Sequence, residues 1–133
     1  MAAPFLIIYD NDCAFCCRWV RWILRMDSSG KFYFAAGNSR TGKQMLRRLG
    51  LEGLQKQTII LVLGEHYYLY SEAIRQIGLH ISSLHWLASM AGCIPQGLRD
   101  RVYQMIAHHR HRLSASVKHC PLPPLEYRHR FLP

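Results

Sequence analysis

Short apolar runs and helix-like apolar spacings alternate from the start of the chain. The run Phe5–Tyr9 is apolar and partly β-branched, and it ends at an Asp-Asn-Asp cluster, residues 10–12. This pattern predicts a buried strand followed by a tight loop. Apolar residues then recur every three or four positions, which predicts a helix that is capped at Asp12 or Cys13 and ends near Asp27. The residues with this spacing are Cys16, Trp19, Val20, Ile23 and Met26.

The rest of the pattern predicts three more strands and four more helices. The strands are expected at Phe32–Ala35, Thr58–Leu63 and Tyr67–Tyr70, the last two forming a hairpin. The helices are expected at Thr41–Leu49, Ser71–Leu79 with Ser71 as its cap, Ser83–Ala91 and Pro95–His109. A parallel β-α-β start followed by a hairpin predicts an α/β fold, with a mixed four-stranded sheet that carries helices on both faces.

The length of 133 residues fits a single domain. We expect this domain to cover residues 1–133, with a helical C-terminal extension over about residues 80–110. After about His108 the sequence is basic and then proline-rich, with an extended segment at Cys120–Pro124. We expect this tail, residues 111–133, to dock on the domain, with Phe131–Pro133 against its core.

The charge of the chain indicates its partners only coarsely. Seventeen Lys and Arg residues against eight Asp and Glu give a formal charge of +9, which favours anionic partners. Nucleic acid is not the expected partner, because the arginines are not interleaved with aromatic residues as in known modules. No apolar run approaches the roughly 20 residues of a membrane span. No signal peptide is visible either, so a cytoplasmic location is expected.

The reactive chemistry is expected at a Cys-x-x-Cys sequence, Cys13-Ala14-Phe15-Cys16, between the first strand and the first helix. A helix N-terminus carries unpaired N–H groups and partial positive charge, so it favours a thiolate over a thiol. Cys13 is then the nucleophile that attacks a disulfide, and Cys16 resolves the mixed disulfide. The sulfur atoms carry the electrons, so no cofactor is expected.

Other readings of the cysteines compete with this one. The pair could be small core residues, which is the expected role of Cys17 and Cys93. A structural zinc ion needs four ligands, and only His119-Cys120 resembles a second half-site, so no metal is expected. Cys120 is either a free apolar residue or a third thiol near the pair. A Cys/His hydrolase is disfavoured, because no His is marked as the partner of Cys13.

Charged residues around the pair act in opposite directions. A carboxylate at Asp10 or Asp12 would raise the pKa of Cys13, whereas Arg18, about one turn into the helix, would lower it. Asp10 ends the buried strand and is a candidate proton acceptor for the resolving cysteine, or else it caps the turn. Asp12 fits a helix cap better than a catalytic role. Arg18 is a candidate stabiliser of the thiolate.

The segment Tyr9-Asp10-Asn11-Asp12-Cys13-Ala14-Phe15-Cys16-Cys17 resembles the signature of the DCC family (DUF393, YuxK-like) of thiol-disulfide oxidoreductases. Further likeness lies at Arg18–Val20, Tyr70–Ala73, Cys120–Pro124 and Arg128–Leu132, so it covers almost the whole chain. The resemblance implies a thioredoxin-like fold and dithiol-disulfide exchange. Asn11 replaces a usual Gly, and both residues tolerate turns.

One departure concerns the edge that faces the dithiol. Thioredoxin-like oxidoreductases usually place a cis-proline before the third strand, whereas this chain has Gln57-Thr58 there. The N–H or hydroxyl of Thr58 could donate a hydrogen bond to the Cys13 thiolate and lower its pKa. We therefore expect a narrow oxidoreductase that acts on a protein or low-molecular-weight disulfide and is recycled by a separate reductant. The alternatives are a thioredoxin-like adaptor without redox turnover, or a metal-binding Cys-x-x-Cys site.

Overall fold

The computed structural model describes residues 5–10, 14–27, 30–54, 58–108 and 125–132, and of residues 14–17, 107 and 125–127 it describes the backbone alone. The strands are β1 (Phe5–Tyr9), β2 (Phe32–Ala36), β3 (Ile60–Leu63), β4 (His66–Leu69) and β5 (Phe131–Leu132). The helices are α1 (Ala14–Met26), α2 (Arg40–Leu49), α3 (Tyr70–Leu79), α4 (His85–Ala91) and α5 (Gln96–His108). A short 3₁₀ helix, Leu125–Arg130, leads into β5.

The strands form one mixed sheet in the order β4-β3-β1-β2-β5. β1 pairs with β2 in parallel and with β3 antiparallel, and β3 pairs antiparallel with β4. The predicted α/β class and mixed sheet are confirmed, and the architecture is compatible with a thioredoxin-like fold. The predicted number of four strands is one too low, because β5 adds a parallel strand on the open edge of β2.

The sheet separates two apolar clusters. One face of β1 and β2, with Ile7 and Phe34, packs under α1 and α3, where Ile23 and Ile77 are buried. The other face packs against α2, whose Leu46 is 3% exposed. The alternation of side chains along each strand divides these residues between the two clusters. Helices on both faces of the sheet are therefore confirmed.

Several element boundaries differ from the sequence-based expectation. β3 begins at Ile60 instead of Thr58. α3 begins at Tyr70 with Leu69 as its N-cap, so Ser71 is not the cap. α2 ends at Gly50 as predicted, because Gly50 has φ +71° and adopts the left-handed conformation without a Cβ clash.

Part of the C-terminal tail docks on the sheet. Phe131 stacks on Phe34 with ring centroids 5.2 Å apart and meets Tyr9 edge to face at 6.4 Å. Arg130, 5% exposed, donates a hydrogen bond from Nε to the Phe32 carbonyl oxygen (3.0 Å) and forms an ion pair with Asp27. The docking of the tail over residues 111–133 stays a prediction, because residues 109–124 and 133 lie outside the described part.

Candidate active site

The Cys-x-x-Cys sequence lies between β1 and α1, so the end of β1 is the first part of the structure to consider. β1 and β2 run in parallel with Tyr9 opposite Ala36, so both strands end at the same edge of the sheet. The Gly37 N–H donates a hydrogen bond to the Tyr9 carbonyl oxygen (2.8 Å) just beyond that edge. Asp10 follows β1, and α1 begins at Ala14. The junction between this strand and this helix is where the Cys-x-x-Cys sequence occurs.

The cysteines of the junction are described only in part. The backbones of Cys16 and Cys17 belong to the first turn of α1. Asp12 and Cys13 precede Ala14 and lie outside the described residues, as does Cys120. The first turn of α1 contains no acidic residue. The unpaired N–H groups at this helix end therefore provide the partial positive charge that favours an anion.

Two other predicted residues flank this end of the sheet. Asp10 is half-buried, and it makes an interaction of its own within the protein. Arg18 is exposed on α1, one turn after Ala14. Burial raises the pKa of Tyr9, which precedes Asp10, so its phenol stays protonated and neutral. The roles of Asp10 and Arg18 in the reaction stay predictions.

Thr58 lies at the same end of the sheet. β1 and β3 pair with Ile8 opposite Ile60, and extending this antiparallel register by two residues brings Thr58 opposite Asp10. The Thr58 side chain is buried, with 2% exposure. Its N–H donates to the Leu54 carbonyl oxygen (3.1 Å), and its Oγ1 donates to the Ile59 carbonyl oxygen (2.9 Å). Both donors that sequence analysis assigned to the Cys13 thiolate thus have partners inside the protein.

The Thr58 hydroxyl also organises the start of α3. Its Oγ1 accepts a hydrogen bond from the Tyr70 N–H (2.8 Å). Tyr70 has φ +53°, a left-handed conformation that costs free energy in a residue with a Cβ. The Tyr103 hydroxyl of α5 lies 3.3 Å from Thr58 Oγ1 and accepts a hydrogen bond from the Ile59 N–H (3.1 Å). Thr58 therefore holds the strained β4–α3 junction against β3 and α5.

Polar contacts from α5 complete this junction. Asp100 Oδ1 accepts hydrogen bonds from the Ser71 N–H (3.2 Å) and from the Ser71 hydroxyl. The next residue after Ser71, Glu72, forms ion pairs with Arg75 (3.1 Å) and with Arg99 of α5 (3.0 Å). The sequence does not mark Asp100, Arg99 or Tyr103 as site residues, because their partners lie 27 to 45 residues away along the chain. No local motif marks such contacts.

The Glu72 carboxylate is held in its charged form. Burial alone would raise the pKa of Glu72, but hydrogen bonds from Gln76 and Arg99 and the positive charges of Arg75 and Arg99 lower it below its usual value. The stabilisation from this carboxylate is therefore present above the ordinary Glu pKa. It is lost as the pH falls through the lower pKa of the folded protein.

Thr58→Val is expected to destabilise the protein by about 1–3 kcal/mol, because the partly buried Tyr70 N–H loses its acceptor. Thr58→Ser keeps the hydroxyl and is the matched control, with a smaller loss. Urea unfolding of the three proteins measures the difference. From the sequence, Thr58→Val is also expected to raise the Cys13 pKa, which titration of the thiolate absorbance tests. Equal stability of the Val and Ser variants would contradict the hydrogen-bond network.

An apolar groove runs alongside this junction. Its volume is about 560 Å³, and it lies between α1, α3, α4 and α5. Trp19 and Trp22 of α1 line it, and their rings meet edge to face with centroids 5.6 Å apart. Tyr103 and Ile59 line the part that adjoins the Thr58 network. The groove therefore extends from the Thr58 network over the helices α1, α3, α4 and α5.

The remaining predictions for site residues concern Cys93 and metal ions. Cys93 is exposed after α4, so the expectation that it packs in the core is wrong. Within the described ranges, no three His, Cys, Asp or Glu side chains are grouped as metal ligands would be. In the same part of the chain, none of the helices has the length and apolarity needed to cross a membrane.

Comparison with known proteins identifies related chains. The profile of the DCC1-like thiol-disulfide oxidoreductases matches residues 7–116. An uncharacterized protein of Bacillus subtilis, YuxK, is 27% identical over 128 residues, which cover 96% of this chain and 93% of that protein. A DCC family protein of Arabidopsis thaliana, described as chloroplastic, is 26% identical over 118 residues, 88% of this chain and 69% of its own length. No solved structure matches significantly.

Proposed function

Since this chain belongs to the family of DCC1-like thiol-disulfide oxidoreductases, we propose that it exchanges thiols and disulfides through Cys13 and Cys16. The observation that carries the proposal is the position of the Cys-x-x-Cys sequence. Cys16 belongs to the first turn of α1, and Cys13 immediately precedes Ala14, the first residue of that helix. A thiol at this position is stabilised as a thiolate by the helix N-terminus.

The reaction needs only sulfur chemistry. The Cys13 thiolate attacks one sulfur of a substrate disulfide, and the other substrate sulfur leaves as a thiolate with the electron pair and takes up a proton. Cys16, after losing its proton, attacks Cys13 in the mixed disulfide and releases the second substrate thiol. The substrate gains two electrons, and Cys13 and Cys16 become a disulfide. A low-molecular-weight or protein dithiol would reduce that disulfide again, and the reverse sequence oxidises a substrate.

Nearby charged groups support specific roles in these steps. Asp10 lies half-buried at the end of β1 and would accept the Cys16 proton before resolution. Arg18 lies exposed one turn into α1 and would stabilise the Cys13 thiolate. Asp12 would cap α1. A cytoplasmic location, where thiols are kept reduced, would supply the recycling reductant.

Equilibrium redox titration with alkylation and mass spectrometry tests the proposal. We expect one reversible two-electron couple that is confined to Cys13 and Cys16. At limiting alkylating reagent, the reduced protein should be labelled at Cys13 before Cys16, Cys17, Cys93 and Cys120, because the thiolate is the reactive form. A protein without such a couple would be a binding module, and preferential labelling of Cys93 would contradict the assignment of the nucleophile.

A further inference from the structure

The groove beside the Thr58 network leaves apolar side chains uncovered. On α5, Leu98, Val102 and Ile106 line the groove and follow the spacing of one helix face, yet each is between 46% and 54% exposed. On α4 and in the connection after it, the lining residues Leu87 and Ile94 are 48% and 44% exposed.

The uncovered part of the groove lining is apolar and contiguous. Six large apolar residues of the lining are each between 40% and 54% exposed: Trp22, Leu87, Ile94, Leu98, Val102 and Ile106. Apolar residues scattered singly are ordinary on a protein surface, whereas apolar residues grouped in a groove mark an interaction site.

The charge around the groove favours an acidic occupant. The four helices that form it carry six arginines and two acidic residues, Glu72 and Asp100. The two arginines that line the groove, Arg75 and Arg99, pair with Glu72, which offsets part of their charge. The other four arginines are exposed on the same helices: Arg18, Arg21, Arg25 and Arg101. The excess positive charge therefore comes from these four.

The same charge disfavours a second copy of this chain, since two molecules of formal charge +9 repel each other. The concave shape disfavours a flat membrane surface, because Ile59 and Ile77 line the groove with only 8% and 4% exposure. A concave apolar groove between helices fits the apolar face of one more helix, with anchors spaced three or four residues apart.

The groove also borders α1, the helix that follows Cys13 in the sequence. Trp19, which lines it, follows Cys16 by three residues, and positions three apart share one face of a helix. Ile59, which also lines it, follows Thr58 at the sheet end that holds Asp10. We infer that the groove docks an acidic amphipathic helical segment of a polypeptide substrate. That the docked polypeptide is a substrate rests on the proposed dithiol exchange, whereas the docking itself is testable without it.

Docking is tested with a variant that has no redox pair, Cys13→Ser with Cys16→Ser. The probe is a synthetic peptide of about 18 residues, five helical turns, with Leu on one face and Glu elsewhere. The three tryptophans of the chain, Trp19, Trp22 and Trp86, all lie on helices that border the groove, so their fluorescence reports binding. We expect saturable binding that weakens as salt is added.

Two variants of α5 separate docking in the groove from general charge attraction. Val102→Glu places a carboxylate in the groove lining, and Gln104→Glu makes the same charge change at an exposed position of the same helix outside the lining. We expect about tenfold weaker binding for Val102→Glu and less than about twofold for Gln104→Glu. Ile106→Glu, at a second exposed lining residue, should repeat the Val102→Glu result, and circular dichroism checks the fold of each variant.

Other occupants give other results. A peptide with Lys in place of Glu, and a scrambled Leu-Glu peptide, should both bind at least about tenfold more weakly. Equal binding of either one overturns the inference, as do equal effects of the two glutamate variants. Vesicles of phosphatidylglycerol that bind in a Val102-dependent way while the acidic peptide does not would assign the groove to a membrane. Sedimentation as a dimer that Val102→Glu dissociates would assign it to a second copy.

The link to the dithiol is tested separately in the wild-type protein. The acidic peptide, carrying one cysteine as a mixed disulfide with glutathione, is compared with glutathione disulfide, and dithiothreitol serves as the reductant. Val102→Glu should slow reduction of the peptide about tenfold and leave reduction of glutathione disulfide unchanged. Reduction of neither substrate would contradict the proposed function without affecting the binding result. Equal slowing of both would contradict the substrate role of the groove.

Discussion

Replacement of Cys16 by alanine is expected to lower turnover by roughly 100-fold or more, because a bimolecular thiol must then replace the intramolecular attack that resolves the mixed disulfide. The variant should accumulate a covalent adduct between Cys13 and its substrate. Intact-protein mass spectrometry measures the adduct, and its loss on addition of dithiothreitol identifies it as a disulfide. Cys13→Ser should form no adduct.

Cys17→Ala is the matched control for this experiment. Cys17 is the next residue of α1, about 100° further around the helix axis, so it occupies a different side of the helix from Cys16. It should keep the redox couple and lose about 1 kcal/mol of stability at most. Loss of the couple in Cys17→Ala together with its survival in Cys16→Ala would overturn the pairing.

Arg130→Ala is expected to destabilise the fold by about 3–5 kcal/mol, because it leaves the Asp27 carboxylate buried without its cation. The side chains of Arg130 and Asp27 are only 6% and 2% exposed. Asp27 Oδ2 also accepts a hydrogen bond from the Phe32 N–H (2.9 Å), so the pair joins α1, β2 and the C-terminal segment. A loss of this size is a large part of a typical total stability of about 5–15 kcal/mol.

Urea unfolding measures this loss, with Arg48→Ala as the control that removes the same charge from an exposed position of α2. The control should change stability by less than about 1 kcal/mol. The double variant Asp27→Asn with Arg130→Met removes both charges, keeps an acceptor for the Phe32 N–H and should recover part of the loss. If Arg130→Ala and Arg48→Ala were equally stable, the buried pair would not hold the C-terminal segment.

The sequence predicted those parts of the fold that depend on neighbouring residues. The spacing of apolar residues located α1, and the turn residues located the hairpin of β3 and β4, because both signals act within a few positions. The sequence predicts that the third strand begins at Thr58, two residues before its observed start. Thr58 instead forms hydrogen bonds with Leu54 and Tyr70. Boundaries of this kind are decided by tertiary hydrogen bonds.

Features that rest on distant residues were missed. β5 has two residues, and its pairing depends on Arg130 with Asp27 and on Phe131 with Phe34, so no local pattern marks it as a strand. Cys93 was expected in the core because of its residue type, but it follows α4 on the surface. For the site, the Cys-x-x-Cys spacing and its place after β1 are local signals. The hydrogen bond that the Tyr103 hydroxyl of α5 accepts from the Ile59 N–H joins distant residues, so no local signal marks it.

The buried ion pair also bears on the order in which the protein can mature during synthesis. Asp27 and Arg130 are 103 residues apart, so Arg130 is made well after Asp27. At roughly 5–20 residues per second, about 5–20 s pass between the appearance of the carboxylate and that of its cation. The outer edge of β2, which pairs with β5, stays open over the same interval. Until Arg130 leaves the ribosome the nascent chain has an unpaired strand edge, the kind of surface that chaperones shield from aggregation.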